Sequence, residues 1–354
     1  NALCGPCVQK IPHLCSTQLI YQESWDLRVS ENALCVTIIY VPLMLFGLLG
    51  NILTILVVWL RPHMRSSTYL YLSSMAISDL LILLLLPLDL YKLWRPRPWP
   101  LGDLACKLTM FLSECCTFCT ILHITFLSLE RYVAVCWPIT AKTLVTRRRT
   151  RAIIGCLWLG AAVSAAPVLL MVGVEDIGGD EVGFNHSEGS REEEADRREC
   201  RCTQYAISSG LLSAMMILSN LYFLVPLSIL GLVYSLIGRT LWLRPKSSRK
   251  EQGHRNTVKM LGVIVLAFVL CWLPFHVGRT IFSLSLGSYF NLVSSVLFYL
   301  SAAINPLLYN LMSARYRLAV RSLVRGPSQT QAQHLRTLTV RDGSNVENKF
   351  PSPW

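Results

Sequence analysis

The sequence predicts an all-α membrane protein, a bundle of seven transmembrane helices followed by a short amphipathic helix. Three observations lead to this fold: seven long apolar stretches, 53% hydrophobic against 15% charged residues, and basic residues gathered in alternate connecting segments. About a quarter of the residues in an average soluble domain are charged, so this composition favours a bilayer. The net charge of +12 does not indicate a nucleic-acid partner, because the basic residues lie between apolar spans.

Each apolar stretch is long enough to cross the hydrocarbon core, which takes about 20 residues. The third and seventh stretches are more polar than the others, as expected of helices that face a polar bundle interior. The predicted spans are 33–60, 68–94, 105–137, 152–174, 206–238, 258–278 and 286–312. Prolines inside spans are tolerated in membranes because neighbouring helices satisfy the freed carbonyls. Those prolines are Pro42, Pro87, Pro167, Pro226, Pro274 and Pro306.

The chain divides into four parts by composition. An extracellular segment, 1–32, precedes the bundle, 33–312, and an amphipathic membrane-surface helix, 313–325, leads to a disordered cytoplasmic tail, 326–354. Lysine and arginine are concentrated after the first, third, fifth and seventh spans, which predicts a multi-pass protein with its N-terminus outside the cell. Three basic residues near the first outer loop depart from this rule: Lys92, Arg95 and Arg97.

The loop between the fourth and fifth spans is rich in acidic residues and is predicted to lie outside. Its sequon at Asn185 would therefore be accessible to glycosylation. Cys4 and Cys7 form a CxxC pair, but without a second pair or a suitable histidine they are poor evidence for a metal site. No cofactor is predicted from these residues.

One polar or proline-containing motif marks each span. Any one of them alone is explained equally well as a helix-packing contact, whereas seven in order form a specific pattern. In chain order they are Asn51, Asp79, Glu130-Arg131-Tyr132, Trp158, Pro226, Cys271-Trp272-Leu273-Pro274 and Asn305-Pro306-Leu307-Leu308-Tyr309. This set resembles the rhodopsin-like (class A) G-protein-coupled receptors across all seven spans. The resemblance implies a plasma-membrane receptor for a heterotrimeric G protein and not an enzyme.

The resemblance also assigns roles in activation. Arg131 would pair with the neighbouring Glu130 at the cytosolic boundary and release it to meet the G protein; the alternative is an arginine that only extends to the membrane surface. Trp272 and Phe268 would form a central packing cluster, and the alternative is an ordinary apolar core. The residues assigned to activation or G-protein coupling are Glu130, Arg131, Tyr132, Tyr234, Phe268, Trp272, Asn305, Pro306 and Tyr309.

Two further features follow from the resemblance. Asp79 would bind a sodium ion or a proton in the bundle core, with Asn51, Thr120, Ser301 and Asn305 as neighbours, although the family often has asparagine where this chain has Ser301. A disulfide would join Cys106 to Cys200. Cys202 is a rival partner, and Cys200 is preferred because Glu199-Cys200-Arg201 resembles one subfamily. Further outer bridges remain open among Cys4, Cys7, Cys15 and Cys35.

That subfamily is the ghrelin and motilin receptors. The stretches LPLDLYKLWRPRPW (86–99), SLERYVAVCWP (128–138) and CWLPFHVGR (271–279) carry the resemblance. It implies a peptide hormone as ligand, with Glu114 facing Arg279 across the pocket, since a buried carboxylate and guanidinium are best paired. The ligand-binding residues would be Asp89, Glu114, Phe275, His276 and Arg279.

Other ligand classes fit less well. Tyr299 stands where light-sensing relatives need a lysine, and Ser113 stands where amine receptors need an acid. Between the two hormones, DLYKLWRPRPW and the long outer loop favour motilin, NLVSSVLFYLSAAINP favours ghrelin, and the prediction is motilin. The implied partners are a G protein of the phospholipase C and calcium class, arrestin at the phosphorylated tail, and the lipid bilayer. Alternatives are another neuropeptide, or a seven-span transporter, which would be expected to show internal repeats.

The inner end of the sixth span predicts ligand-independent signalling. Many class A receptors hold the arginine of the third span with a carboxylate from the sixth. His254 occupies the matching position here, twenty residues before Pro274. The inactive state would therefore lack this clamp, and the equilibrium between the two states would lie nearer to the active one. The alternative is that packing around Trp272 and Phe268 sets the equilibrium alone.

Overall fold

The computed structural model describes residues 25–95, 97–176, 197–243, 249–281 and 288–324. Seven long helices in these ranges form the predicted bundle. They are α1 (Trp25–Leu60), α2 (Ser67–Trp94), α3 (Gly102–Cys136), α5 (Arg147–Ala165), α8 (Leu211–Leu243), α9 (Arg249–Ile281) and α10 (Ser288–Met312). Four short helices connect or follow them: α4 (Pro138–Leu144), α6 (Val168–Met171), α7 (Gln204–Ser208) and α11 (Ala314–Val324). A single 3₁₀ turn, Pro62–Met64, joins α1 to α2.

Length and composition match a bilayer. Five described stretches are long and apolar enough to cross a membrane: Ala33–Leu60, Ser67–Trp94, Gly102–Cys136, Arg147–Met171 and Leu211–Leu243. The apolar run of α9 is shorter, and α10 passes the same test only together with α11, which turns away from it by 95°. Large apolar side chains such as Phe46, Leu224 and Leu270 are exposed on the outside of the bundle. Lipid tails can cover such an apolar surface, whereas its exposure to water would be unfavourable.

Glycines allow α1 to pack closely against its neighbours. A Cβ atom at Gly50 would lie 2.8 Å from Cβ of Pro306, and one at Gly47 would lie 2.6 Å from Cδ1 of Leu83. Both distances are too short for carbon atoms in contact. Small residues are used at such crossings because, in lipid, helices associate mainly through close packing. These two positions therefore fix how near α1 approaches α2 and α10.

Five of the six predicted span prolines lie inside helices, and Pro167 does not. It separates α5, which ends at Ala165, from α6, which begins at Val168. Proline has no amide hydrogen, and its ring clashes with the carbonyl four residues earlier. The fourth span, predicted as continuous over 152–174, is therefore broken near its outer end. The chain then leaves the bundle as a strand.

An antiparallel hairpin covers the outer end of the bundle. Strand β1 (Val172–Asp176) pairs with β2 (Arg198–Cys202), and Val174 lies opposite Cys200. At the inner end, α11 packs its apolar face against α1. Tyr316 of α11 is buried, and its hydroxyl lies 2.9 Å from that of Thr54. The bundle thus has one element folded over each end.

Candidate functional site

Asp89 is the acidic centre of the outer cavity, defined as the predicted ligand region around Asp89, Glu114, Phe275 and His276. The hydroxyl of Tyr299 donates a hydrogen bond to its carboxylate, and Lys92 Nζ lies 3.9 Å from the other oxygen. Tyr40 packs edge-on against Tyr299, with ring centroids 5.2 Å apart. The Asp89 side chain is still 47% exposed. This carboxylate is therefore held in place by α2 and α10 and remains open to a cationic ligand from outside.

Aromatic rings form the floor beneath it. Trp272 is buried, with ring centroids 5.9 Å from Phe268 and 5.1 Å from Phe298. His276 stacks on Phe223, with centroids 4.4 Å apart and the rings 14° from parallel. Packed aromatic clusters of this kind switch between discrete arrangements rather than deform gradually. The cluster joins α8, α9 and α10 below the outer cavity.

The remaining predicted ligand residues are only partly described. Glu114 is half-buried on α3, and Phe275 is half-buried, with its ring centroid 6.1 Å from that of Phe298. The side chain of Arg279 lies outside the described residues, so the predicted pairing of Glu114 with Arg279 stays a prediction. Asn185 also lies outside the described residues.

A disulfide anchors the hairpin to the bundle. Cys106 at the start of α3 is bonded to Cys200 of β2, with Cα atoms 5.6 Å apart. Cys202, the rival partner, is itself disulfide-bonded but not to Cys106. Cys35 is a free, exposed thiol. The hairpin is therefore tied to α3 beside the outer cavity.

Asp79 is the buried acidic group of the bundle core. Asn305 donates a hydrogen bond to its carboxylate at 3.0 Å. The hydroxyl oxygen of Thr120 lies 3.0 Å from that of Ser78, the residue before Asp79. Ser301 instead donates to the carbonyl of Phe298 at 2.6 Å. Asn51 is also directed elsewhere, since its amide donates to the carbonyls of Gly47 and Ala302.

Glu130 at the inner end of α3 is held mainly by neutral hydroxyl groups. It accepts hydrogen bonds from Tyr71 at 3.0 Å, from Thr150 at 3.3 Å, and from Ser67. Ser67 and Thr150 also contact each other, at 2.7 Å. The neighbouring Arg131 has its Nη2 atom 4.0 Å from the carboxylate, at the limit of an ion pair. Glu130 is thus tied to α2 and α5 more tightly than to Arg131.

Comparison with known proteins decides the family. The pattern described as "7 transmembrane receptor (rhodopsin family)" matches residues 50–309, well over half of the chain. This chain belongs to the rhodopsin family of seven-transmembrane receptors. The predicted fold class is confirmed. The receptor is a multi-pass plasma-membrane protein and not an enzyme.

Individual receptors narrow the subfamily. The growth hormone secretagogue receptor type 1 of Sus scrofa is 50% identical over 305 residues, covering 82% of this chain and 80% of the relative. The motilin receptor of Homo sapiens is 45% identical over 332 residues, with 82% and 80% covered. Neuromedin-U receptor 2 of Homo sapiens is 34% identical over 342 residues, with 91% and 79% covered. The predicted ghrelin and motilin receptor subfamily is confirmed.

The other predicted activation residues of this receptor each contact a neighbouring helix. Tyr309 is buried beside Tyr316, with ring centroids 6.2 Å apart, and lies in the same helix as Pro306. Tyr132 packs against the apolar cluster of Val135 and Val233. The hydroxyl oxygen of Tyr234 lies 3.5 Å from that of Ser128. The His254 side chain lies outside the described residues, so its predicted effect stays a prediction.

Sequence reasoning missed several partners in this receptor. The aromatic floor is completed by Phe223 and Phe298, and Asp89 is held by Tyr299. Glu130 is held by Ser67 and Thr150. Phe223 carried one usable signal, because it lies three residues before Pro226 and so shares the inward face of α8. The two hydroxyl residues carried none, since serine and threonine are common throughout the spans.

The basic residues that broke the charge rule also find partners. Lys92 lies between Asp89 and the ring of Trp99, 5.1 Å from its centroid. Arg97 lies 3.7 Å from Glu199. Arg95 is exposed. Two of the three cations are thus paired with acids on the outer face.

Proposed function

We propose that this receptor binds a peptide hormone of the ghrelin and motilin type and activates a G protein of the phospholipase C and calcium class. Its two most informative relatives are named for growth hormone secretagogues and for motilin. The observation that carries the proposal is Asp89, a half-exposed carboxylate held by Tyr299 above an aromatic floor. A peptide end that combines a cationic group with apolar side chains matches such a site.

Calcium release in transfected cells tests this proposal. Motilin, ghrelin and neuromedin U are applied separately, with a Gq inhibitor as the control for coupling. The expected result is a response to motilin or ghrelin that the inhibitor removes, with motilin retained as the first candidate. A response to neuromedin U alone, or none to any peptide despite surface expression, would contradict the proposal. Ligand-stimulated nucleotide exchange on purified Gq separates a receptor from a seven-span transporter.

A pair of variants tests the role of Asp89. Asp89→Asn removes the carboxylate charge while keeping the shape of the side chain. Asp176→Asn removes the same charge from an exposed position on β1. We expect Asp89→Asn to weaken the potency of the active peptide by about 1.5 kcal/mol or more, as for a charged hydrogen bond, and Asp176→Asn to have little effect. Equal losses in both variants would show that only the overall negative charge of the outer face matters.

The buried carboxylate of Asp79 is the proposed centre for a sodium ion or a proton. Its carboxylate and the hydroxyls of Ser78 and Thr120 are oxygen donors of the kind that hard cations prefer. Sodium chloride is then expected to lower agonist affinity in the wild type and not in Asp79→Asn, with choline chloride as the ionic-strength control. Arrestin is the proposed partner of the tail, which lies outside the described residues.

A further inference from the structure

The first outer loop is joined to the hairpin by a backbone hydrogen bond. The amide of Trp99 donates to the carbonyl of Arg198 at 2.9 Å, so the loop lies alongside β2. The Trp99 ring is buried, and its Nε1 atom donates to the carbonyl of Gly102 at 2.9 Å. The loop that follows α2 is therefore a support for the hairpin rather than a free connection.

An ion pair crosses the same contact. Arg97 Nε of the loop lies 3.7 Å from the carboxylate of Glu199, the residue before the disulfide-bonded Cys200. The two partners differ in their access to water: the Glu199 side chain is 4% exposed and that of Arg97 is 30% exposed. A buried carboxylate cannot recover its hydration without moving the hairpin, whereas a partly exposed guanidinium can.

The other charged groups around Glu199 are already engaged. Glu175 lies opposite it in the strand pair and contacts Arg201 at 3.8 Å. From α3, Asp103 accepts a hydrogen bond from the amide of Val174 and pairs with Lys107 at 2.6 Å. Arg97 is therefore the cation of the first outer loop that offsets the buried charge.

Burial also changes the acidity of Glu199. It raises the pKa of Glu199 above its ordinary value, although Arg97 and Arg201 both lower it. In the docked hairpin the pKa of Glu199 is therefore higher than in an exposed glutamate. Docking is thus favoured by acid and weakens as the pH rises through the raised pKa of Glu199. Removal of the Arg97 charge would raise the pKa further and make docking depend more strongly on pH.

We propose that Arg97 is a positioning residue: it offsets the charge of the buried Glu199 at neutral pH and so keeps the hairpin docked beside the peptide site. This rests on the proposed peptide function for its effect on affinity. It assigns Arg97 and Trp99 of the first outer loop to the support of the hairpin.

Four variants separate this role from simple packing. Arg97→Gln leaves Glu199 buried and without its loop cation, whereas Glu199→Gln leaves a guanidinium that can reach water. The double variant leaves a neutral pair. Arg95→Gln is the control at an exposed arginine nearby. Binding of radio-iodinated motilin and of radio-iodinated ghrelin is measured at matched surface expression. We expect Arg97→Gln to weaken binding about tenfold at pH 7.4, Glu199→Gln less, and the double variant about as little as Glu199→Gln alone.

The pH profile gives a second signature. The binding of Arg97→Gln, divided by that of the wild type at the same pH, should improve between about pH 7.4 and about pH 6, because protonation of Glu199 removes the unpaired charge. Arg97→Lys should recover most of the affinity at both values. A double variant no better than Arg97→Gln, a ratio unchanged by pH, or an equal loss in Arg95→Gln would overturn the proposal.

A measurement without ligand keeps this inference separate from the proposed function. Hydrogen exchange of purified receptor is followed in the peptides that contain 172–176 and 198–202. Arg97→Gln should speed exchange there at neutral pH, and the double variant should return it to the wild-type rate. Unchanged exchange in Arg97→Gln would refute the docking role. Faster exchange in a receptor that binds neither peptide would keep the docking role and reject only the choice of hormone.

Discussion

The outer and inner ends of this receptor are held by different kinds of contact. Outside, a disulfide from Cys106 to Cys200, a strand pair and the buried Glu199 with its arginine fix the hairpin to α3 and to the first loop. Inside, the carboxylate of Glu130 is held by neutral hydroxyls, and Arg131 stands 4.0 Å away. The outer end includes a covalent bond, whereas Glu130 at the inner end is held mainly by hydrogen bonds.

This difference matches the two tasks of a receptor. A binding site gains affinity when its parts are already in place, since less ordering remains when the ligand arrives. A signalling end must instead exchange two arrangements that differ by a few kcal/mol, which requires contacts that break easily. Hydroxyl bonds to a carboxylate, each worth about 1.5 to 3 kcal/mol, are in that range.

The largest effect is expected from the outer disulfide. The bond between Cys106 and Cys200 closes a loop with a sequence separation of 94, and its loss should cost about 4 kcal/mol through the freedom gained by that loop. Cys106→Ala and Cys200→Ala should therefore abolish peptide binding. Cys156→Ala, at a free and exposed thiol on α5, is the control and should bind normally. Radioligand binding at matched surface expression measures this, and normal binding in Cys106→Ala would show that the hairpin does not need this anchor.

The next effect concerns the predicted pair of Glu114 and Arg279. If the two groups meet across the pocket, replacing either with alanine leaves the other buried and unpaired, and peptide potency should fall by about 2 kcal/mol. Exchanging the two charges in one variant should recover part of the loss. Ser113→Ala, next to Glu114, serves as the uncharged control. Dose–response curves for calcium release measure the effect, and wild-type potency in both single variants would rule the pair out.

The inner end is tested through the hydroxyls that hold Glu130. Tyr71→Phe and Thr150→Val each remove one hydrogen bond that ties α3 to a neighbouring helix, at a cost of about 1.5 kcal/mol to the inactive arrangement. Ligand-free signalling should therefore rise about tenfold, provided the active fraction is small. Inositol phosphate accumulation without ligand is the measurement. Thr125→Val is the control, because this buried hydroxyl donates only within its own helix, to the carbonyl of Ile121.

Two results would contradict this reading of the inner end. An equal rise in Thr125→Val would show that any loss of a hydroxyl in α3 or its neighbours has the same effect. A fall in basal signalling in Tyr71→Phe would show that the hydroxyls compete with Arg131 for the carboxylate, so that removing one strengthens the ion pair. Either outcome would remove the distinction drawn between the two ends.

The comparison also marks what the sequence could reveal. Apolar runs and the lysine and arginine bias depend on local composition, so the seven helices and the orientation could be predicted from the sequence. Glu130 and Arg131 are adjacent in the chain, and their proximity was certain. The contacts of Tyr299 with Asp89 and of Ser67 with Glu130 join residues 210 and 63 positions apart. Such pairs depend on the rotation and spacing of whole helices, which no single segment encodes.

The smallest expected effect lies where α11 meets α1. The hydroxyls of Tyr316 and Thr54 are 2.9 Å apart in a buried position. Apolar packing and two arginines also hold α11: Arg61 donates to the carbonyl of Ser322, and Arg317 donates to carbonyls at the end of α10. Tyr316→Phe keeps the ring and removes the bond, so the stability of purified receptor should fall by about 1 kcal/mol. Thr54→Val also removes the hydrogen bond to the carbonyl of Gly50 and should cost more. The double variant should cost no more than Thr54→Val alone, because the bond between the two hydroxyls is lost only once. Thr125→Val, whose buried hydroxyl donates to the carbonyl of Ile121 in its own helix, is the distant control and should combine additively with Tyr316→Phe. Thermal unfolding in detergent measures all of these. Full additivity of Tyr316→Phe and Thr54→Val would mean that the two hydroxyls do not bind each other, and the inner end would then rest on packing rather than on hydrogen bonds.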